Sequence, residues 1–323
     1  MIIVTGGAGF IGSAFVWKLN QEGIEDIIIV DRLGTTDKWK NLVNLCYKDY
    51  IYKDDFFQMI CDDDLPSDVS AIVHMGACSS TTERDADYLW GNNFLYTRTL
   101  AEWAIKRGIR FIYASSAATY GDGKQGFSDD LSKIKPLKPI NMYGYSKQIF
   151  DLWVLRKKLE SKVAGVKFFN VFGPNEYHKG DMTSVIYKAF YQIKETGRVR
   201  LFKSYVSQYP DGGQMRDFVY VKNCINVLWW LLKNPSVNGI FNLGTGKART
   251  WNDLIFAVFS AMGIQSNIEY IEMPELLRHQ YQYFTQAEID KLKVAGCPVD
   301  FSTLEDSVRD YVINYLQKQD PHL

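Results

Sequence analysis

The sequence predicts an α/β fold: a doubly wound parallel sheet with a smaller C-terminal domain. Three observations carry this prediction. Gly6-x-x-Gly9-x-x-Gly12 stands directly between an apolar strand and a helix. Continuous apolar strands then alternate with helices as far as about Asn170. Beyond Asn170 the alternation loosens into polar loops. Apolar strands separated by helices indicate a parallel sheet covered on both faces.

The first element is Ile2-Ile3-Val4, a short buried strand. Ala14, Val16, Trp17 and Leu19 then recur at helical spacing, and Gly23 stops the helix. Ile27 to Val30 is the second strand, closed by Asp31. These segments make one βαβ unit with a right-handed crossover. Ala71-Ile72-Val73 is the next buried strand, and Asn93 to Arg107 a helix. Phe111 to Ala114 reads as a strand, Met142 to Leu159 as a helix and Val166 to Phe169 as a strand. A polar loop spans Gly173 to Asp181, and a helix follows to about Thr196. Tyr205 to Gln214, rich in Gly, Ser and aromatics, predicts an irregular loop. Phe218 to Val221 and Ile240 to Leu243 read as strands again. The first domain is placed at 1–170 with returning segments near 217–243, the second at 171–216 and 244–323.

The length of 323 residues suits two domains and a core that needs no disulfide or metal staples. Lys plus Arg and Asp plus Glu both number 37, giving zero net charge. That balance argues against a coat for nucleic acid or for an anionic membrane. The longest apolar run, Val227 to Leu232, falls far short of the ~20 residues of a membrane span. Cys46, Cys61, Cys78, Cys224 and Cys297 are odd in number and contain no Cys-x-x-Cys. They predict a reduced, cytoplasmic setting. His74, His178, His279 and His322 lack metal-ligand spacing, so no metal is expected. The start at Met1-Ile2-Ile3-Val4-Thr5 leaves no room for a signal peptide.

Chemistry enters with the glycines. Gly6, Gly9 and Gly12 permit a tight turn and let the backbone approach a pyrophosphate seated on the next helix. The strand before, the helix after and the acid closing the next strand turn a weak motif into a dinucleotide site. Asp31 suits the ribose hydroxyls of NAD. Arg32, with Lys38 and Lys53 downstream, suits the extra phosphate of NADP and tips the balance slightly towards it, unless these three form a solvated surface. The residues alone leave that choice open.

A second constellation is Ser116, Tyr143 and Lys147. Tyr143-x-x-x-Lys147 is an i, i+4 pair, so both side chains leave one helix face. Ser116 ends a sheet strand, where α/β folds place ligands. A tyrosine with an ordinary pKa of ~10 is a poor base at neutral pH. A neighbouring ammonium and an oxidised nicotinamide both favour its phenolate. The serine hydroxyl would bond the reacting oxygen.

TGGAGFIG, SSAATYG, YGYSK and RDFVYV together resemble the extended short-chain dehydrogenase/reductase family, over nearly the whole chain. The resemblance implies a Rossmann-type cofactor domain, a C-terminal substrate domain and chemistry on nucleotide sugars. Dehydratases of that family carry an Asp-Glu pair after the strand-end Ser or Thr. Ala117-Ala118-Thr119 stands there instead, which favours an epimerase or reductase.

His74 to Glu83, Tyr177-His178-Lys179-Gly180 and Tyr281-Gln282-x-Phe284-Thr285-Gln286-Ala287 are more specific. They resemble the branch that inverts C6 of the heptose in ADP-glycero-manno-heptose. That resemblance implies NADP, a homopentamer and a place in lipopolysaccharide synthesis. The C6 hydrogen is not acidic, so inversion goes through transient oxidation and re-reduction. The two epimers present their oxygen differently to a fixed nicotinamide, and one acid/base group serves each orientation. The resemblance gives these roles to Tyr143 and Lys179. Lys179 is otherwise a loop cation or a pyrophosphate contact.

By resemblance the cofactor set is Phe10, Ile11, Asp31, Arg32, Lys38, Lys53, Met75, Gly76, Ala77, Cys78, Ser79, Asn92, Tyr143, Lys147, Val171 and Lys179. The substrate set is Asn170, Asp181, Lys188, Phe202, Lys203, Ser204, Tyr205, Arg216 and Tyr281. Arg216 suits a diphosphate, or a salt bridge with Asp217. Met75, Asp181 and Lys188 stand where the pattern has Glu, Ser and His. Trp229 and Trp230 read as helix core, His74 as a packed histidine, Cys78 as a small packing residue, and Asp62-Asp63-Asp64 as a solvated helix end. Two other readings remain: another NAD(P)-dependent nucleotide-sugar epimerase, such as a UDP-hexose 4-epimerase, and a non-catalytic NADP sensor. Retention of Ser116, Tyr143, Lys147 and Lys179 counts against the sensor.

Overall fold

The computed structural model describes residues 1–278 and 281–323, so His279 lies outside the described residues. Twelve strands form three sheets. In chain order they are β1 (Ile2–Thr5), β2 (Ile27–Asp31), β3 (Asp49–Tyr52), β4 (Ala71–His74), β5 (Arg110–Ser116), β6 (Val163–Phe168), β7 (Asn170–Phe172), β8 (Val199–Phe202), β9 (Met215–Tyr220), β10 (Gly239–Leu243), β11 (Ala248–Thr250) and β12 (Ile268–Ile271).

The main sheet has seven parallel strands in the order β10-β6-β5-β4-β1-β2-β3. Alternate residues of its strands enter two different cores. Val4, Ile29 and Val73 pack with the helices Phe10–Gln21 and Val221–Lys233 on one face. Ile3, Ile28 and Ile72 pack with Lys53–Asp62, Tyr96–Lys106 and Met142–Arg156 on the other. Both faces are covered, which is why the strands read as unbroken apolar runs. The order reverses between β1 and β4, and crevices form at the carboxyl ends of strands at such a switch point.

β10 returns to the main sheet beside β6, whereas β9 does not. β9 centres a small sheet, antiparallel to β11 and parallel to β7. β8 and β12 form a separate parallel pair. Sequence reading omitted β3, whose Asp49-Tyr50-Ile51-Tyr52 stretch is a partly exposed edge. The helix expected from Asn93 begins instead as a π-helical turn at Trp90–Leu95 before Tyr96–Lys106.

His74 is buried at the end of β4, with Nδ1 2.5 Å from Thr5 Oγ1 and Nε2 2.8 Å from Thr97 Oγ1. Burial pushes its pKa down to about 3, so the ring is neutral. Trp229 and Trp230 are partly buried against the core. Asp63 caps its helix in the left-handed region and pairs with Arg107. Among the described residues no helix is long and apolar enough to cross a membrane, and no acidic, His or Cys cluster could hold a metal ion.

Candidate active site

A cleft of about 800 Å³ opens at the carboxyl ends of β1, β4 and β5. Its floor is the glycine turn. Gly6 has φ +65°, a left-handed value that side chains resist, and a Cβ there would meet the Gly76 backbone nitrogen at 2.5 Å. The turn closes through the Gly9 amide donating to the Gly6 carbonyl at 2.9 Å. Gly9 then caps the helix Phe10–Gln21 without any side-chain bond, leaving the first amides facing the cleft. Such amides, with the helix dipole, hold a phosphate well. The bare turn and open amides therefore fit a dinucleotide pyrophosphate.

Asp31, at the end of β2, is buried and fully engaged. Its Oδ2 accepts from the Ala8 amide at 2.9 Å. Its Oδ1 accepts from the Arg32 amide at 2.6 Å and from Lys38 Nζ at 2.5 Å. The Arg32 side chain is exposed beside this pair. Lys53 pairs with Asp54 at 2.9 Å and donates to Asn92 Oδ1 at 3.4 Å.

The opposite wall comes from β5 and the helix Met142–Arg156. Asn141 caps that helix through the Gly144 amide at 2.7 Å. Gly144 has no Cβ, and one there would lie 2.6 Å from the Ala118 carbonyl oxygen. The helix thus approaches the turn after Ser116 closely, and Tyr143 and Ser116 line the same cleft. Ser116 Oγ accepts the Ala118 amide at 3.1 Å. Burial raises the Tyr143 pKa above its ordinary value, and the neighbouring Ser116 hydroxyl partly offsets this. One turn on, Lys147 is 4% exposed and donates to the Ala114 carbonyl at 2.8 Å. Burial pushes its pKa down to about 8, against the opposing pull of Asp151.

Lys179 enters from a short helical turn, Tyr177–Met182, with Nζ 5.1 Å from the centre of the Phe10 ring. Burial lowers its pKa, while Glu176 raises it. Asn41 ties its loop to the glycine turn, donating to the Ala8 and Asn175 carbonyls, each at 3.0 Å. Asn175 itself sits at φ +74°, donates to Ser13 Oγ at 2.9 Å and accepts from the Leu323 amide at 3.0 Å. The loop carrying Lys179 is therefore tied to the glycine turn through Asn41, to the helix after it through Ser13, and to Leu323.

Most of the expected cofactor set lines this one cleft: Gly6, Gly9, Phe10, Ile11 and Gly12 at the turn, Asp31, Lys38, Met75 through Ser79, Tyr143, Lys147, Val171 and Lys179. Arg32, Lys53 and Asn92 lie outside its lining. Of the substrate set only Asn170 lines it. Lys188 bonds the Asp181 carbonyl at 2.6 Å. Lys203 pairs with Glu272 at 2.7 Å, and Tyr205 donates to the same carboxylate. Arg216 is 7% exposed, 5.7 Å from the Trp251 ring and 5.4 Å from the Tyr281 ring. Its one side-chain bond goes to the Met215 carbonyl at 2.8 Å, and among the described residues no acid pairs with it. Asp217 faces away, accepting from Thr245, Gly246 and Ala287. Adjacent strand residues point to opposite faces, so a salt bridge between the two does not form.

Three supporting residues went unread in the sequence. Trp251 lines the cleft and donates from Nε1 to the Tyr281 hydroxyl at 2.9 Å. Asn93 holds the Cys78 amide at 2.8 Å and Ser146 Oγ at 3.0 Å, joining the loop after β4 to the Tyr143 helix. Asn175 carried a signal, since Gly-Pro-Asn after an apolar strand marks a turn.

The NAD dependent epimerase/dehydratase family matches residues 2–244. The chain belongs to this family. A relative from Nitratidesulfovibrio vulgaris (strain Hildenborough), an ADP-L-glycero-D-manno-heptose-6-epimerase, is 64% identical over 323 residues and all of both chains. One of the same name from Fusobacterium nucleatum is 49% identical, again over all of both chains. The crystal structure of Helicobacter pylori ADP-L-glycero-D-manno-heptose-6-epimerase has a TM-score of 0.81 at 26% identity, covering 97% of this chain and 95% of that one. As in the rest of the epimerase/dehydratase family, the cleft is a site for a nicotinamide cofactor.

Proposed function

We propose that the chain inverts C6 of the heptose in ADP-glycero-manno-heptose with NADP bound in the cleft. The observation that carries the reading is the convergence of Tyr143, Ser116, Lys147 and Lys179 on one cleft. The 64% and 49% identical relatives of that name support the substrate.

When bound, the nicotinamide supplies a hydride acceptor and donor for C6. In one sugar orientation the Tyr143 phenolate takes the C6 hydroxyl proton; in the other Lys179 gives a proton to the same oxygen, and exchange with water resets both groups. Ser116 holds the same oxygen, and the Lys147 cation favours the phenolate. Lys179 serves the other orientation, and its lowered pKa makes proton exchange easier there. Two groups are needed because inversion presents the oxygen from two directions.

NADP is favoured over NAD by the state of Asp31. Both its oxygens already hold donors, and Lys38 cancels its charge. The exposed Arg32 stands beside it, ready for a phosphate. Cofactor released by denaturation is expected to be NADP on chromatography; NAD alone overturns this assignment.

Arg216 supports an anionic substrate. A buried guanidinium with one backbone bond keeps most of its donors free, and the Trp251 and Tyr281 rings lie close to it. Arg216→Met is expected to raise KM for ADP-heptose by about 10- to 100-fold with a smaller change in kcat. Steady-state kinetics check this. Separate incubations with ADP-heptose and UDP-glucose test the whole reading. C6 inversion of the first is expected; 4-epimerisation of the second alone overturns it.

A further inference from the structure

Beneath the catalytic wall lies a buried charged network that the chemistry above does not use. Asp151 and Lys167 are both 0% exposed and meet at 2.6 Å. Asp151 sits one helical turn after Lys147. Its oxygens also accept from Tyr113 at 2.9 Å and Ser115 at 2.7 Å, both on β5. Lys167, on β6, faces Ser115 in the sheet register and also donates to Thr119 Oγ1 at 2.7 Å. Thr119 in turn donates to the Ser116 carbonyl at 2.8 Å. The network therefore touches every element that presents Ser116, Tyr143 and Lys147.

A buried ion pair gives little net stability, because desolvating two charges offsets their attraction. Breaking one by removing a single partner leaves a charge uncompensated, which its neighbours feel strongly. The neighbour here is Lys147. Asp151 and Tyr143 on its own helix, Cys78 after β4 and His74 on β4 neighbour Lys147, while Tyr113 on β5 and Lys167 on β6 reach it through Asp151. His74 is held neutral and burial raises the Cys78 thiol, so the charge next to Lys147 is the Asp151–Lys167 ion pair.

We propose that Asp151 and Lys167 are positioning residues for the catalytic set: they lock the Tyr143 helix onto β5, and Lys167 cancels Asp151 so that Lys147 stays on Ala114 and the cofactor side. The proposal rests on the functional reading of Tyr143 and Lys147. Lys147 is cationic below its pKa, so cation-dependent activity fades as pH rises through about 8. Lys167→Met leaves Asp151 unpaired, favours the Lys147 cation and moves that alkaline limb upward. Asp151→Asn leaves Lys167 unpaired, opposes the cation and moves the limb downward.

The test is the pH profile of kcat for C6 inversion, with the pH profile of NADP⁺ binding as a substrate-free readout. Opposite limb shifts of about half a pH unit or more are expected, with kcat down about 10-fold for each single variant. The double variant is expected within about 3-fold of the parent, since both charges leave together. Should either variant fail to fold, Tyr113→Phe removes one donor to Asp151 and is expected to shift the limb upward by less. Unshifted limbs in both profiles, with only thermal stability lowered, overturn the proposal. A parent that binds NADP⁺ but inverts no heptose overturns the functional reading instead, and the binding limb still decides this one.

Discussion

Tyr143→Phe is expected to lower kcat for C6 inversion by about 10²- to 10⁴-fold while NADP stays bound. The substitution removes only the hydroxyl and leaves the ring in the cleft wall that Tyr143 shares with Ser116. Lys147 keeps its bond to Ala114, because its position depends on the helix rather than on the phenol. Cofactor content and the melting temperature should therefore change little. Steady-state kinetics with cofactor quantified per chain check the prediction. Unchanged kcat would take the phenol out of the reaction.

Lys179→Met carries the second large effect, a loss in kcat of comparable size, about 10²- to 10⁴-fold. The methionine keeps an apolar stem against Phe10 and discards the ammonium. Its loop remains fixed by Asn41 and Asn175. Glu176 stays bonded to Ser184 and Tyr311. A change confined to kcat marks an acid/base group. A change confined to KM or cofactor content marks a phosphate contact, and kcat would then survive.

The part of the candidate site built on the glycine turn and the Tyr143 helix was legible because it is written locally. Gly6, Gly9, Gly12 and Asp31 fall within one βαβ unit, and Tyr143 and Lys147 within two helical turns. Such short spacings fix geometry before any tertiary contact forms. The second half was less legible for the opposite reason. β7, β9 and β11 are short strands that pair across long separations, from Asn170 to Phe218 and from Arg216 to Arg249. Nothing in their periodicity names the partner. The Asp151–Lys167 pair joins a helix to a strand, and each residue alone reads as an ordinary surface charge. Arg216 shows the value of structure most clearly. Its neighbour Asp217 is adjacent in sequence yet faces the other way, so among the described residues the guanidinium has no acidic partner.

The proposed inversion at C6 proceeds by hydride removal and return within one cleft. NMR of ADP-D-glycero-D-manno-heptose, deuterated at C6, after incubation with the purified protein tests it most directly. A mixture containing the L-glycero epimer is expected, with the deuterium retained at C6. An unaltered C6 configuration, or inversion with the deuterium lost to solvent, would contradict it.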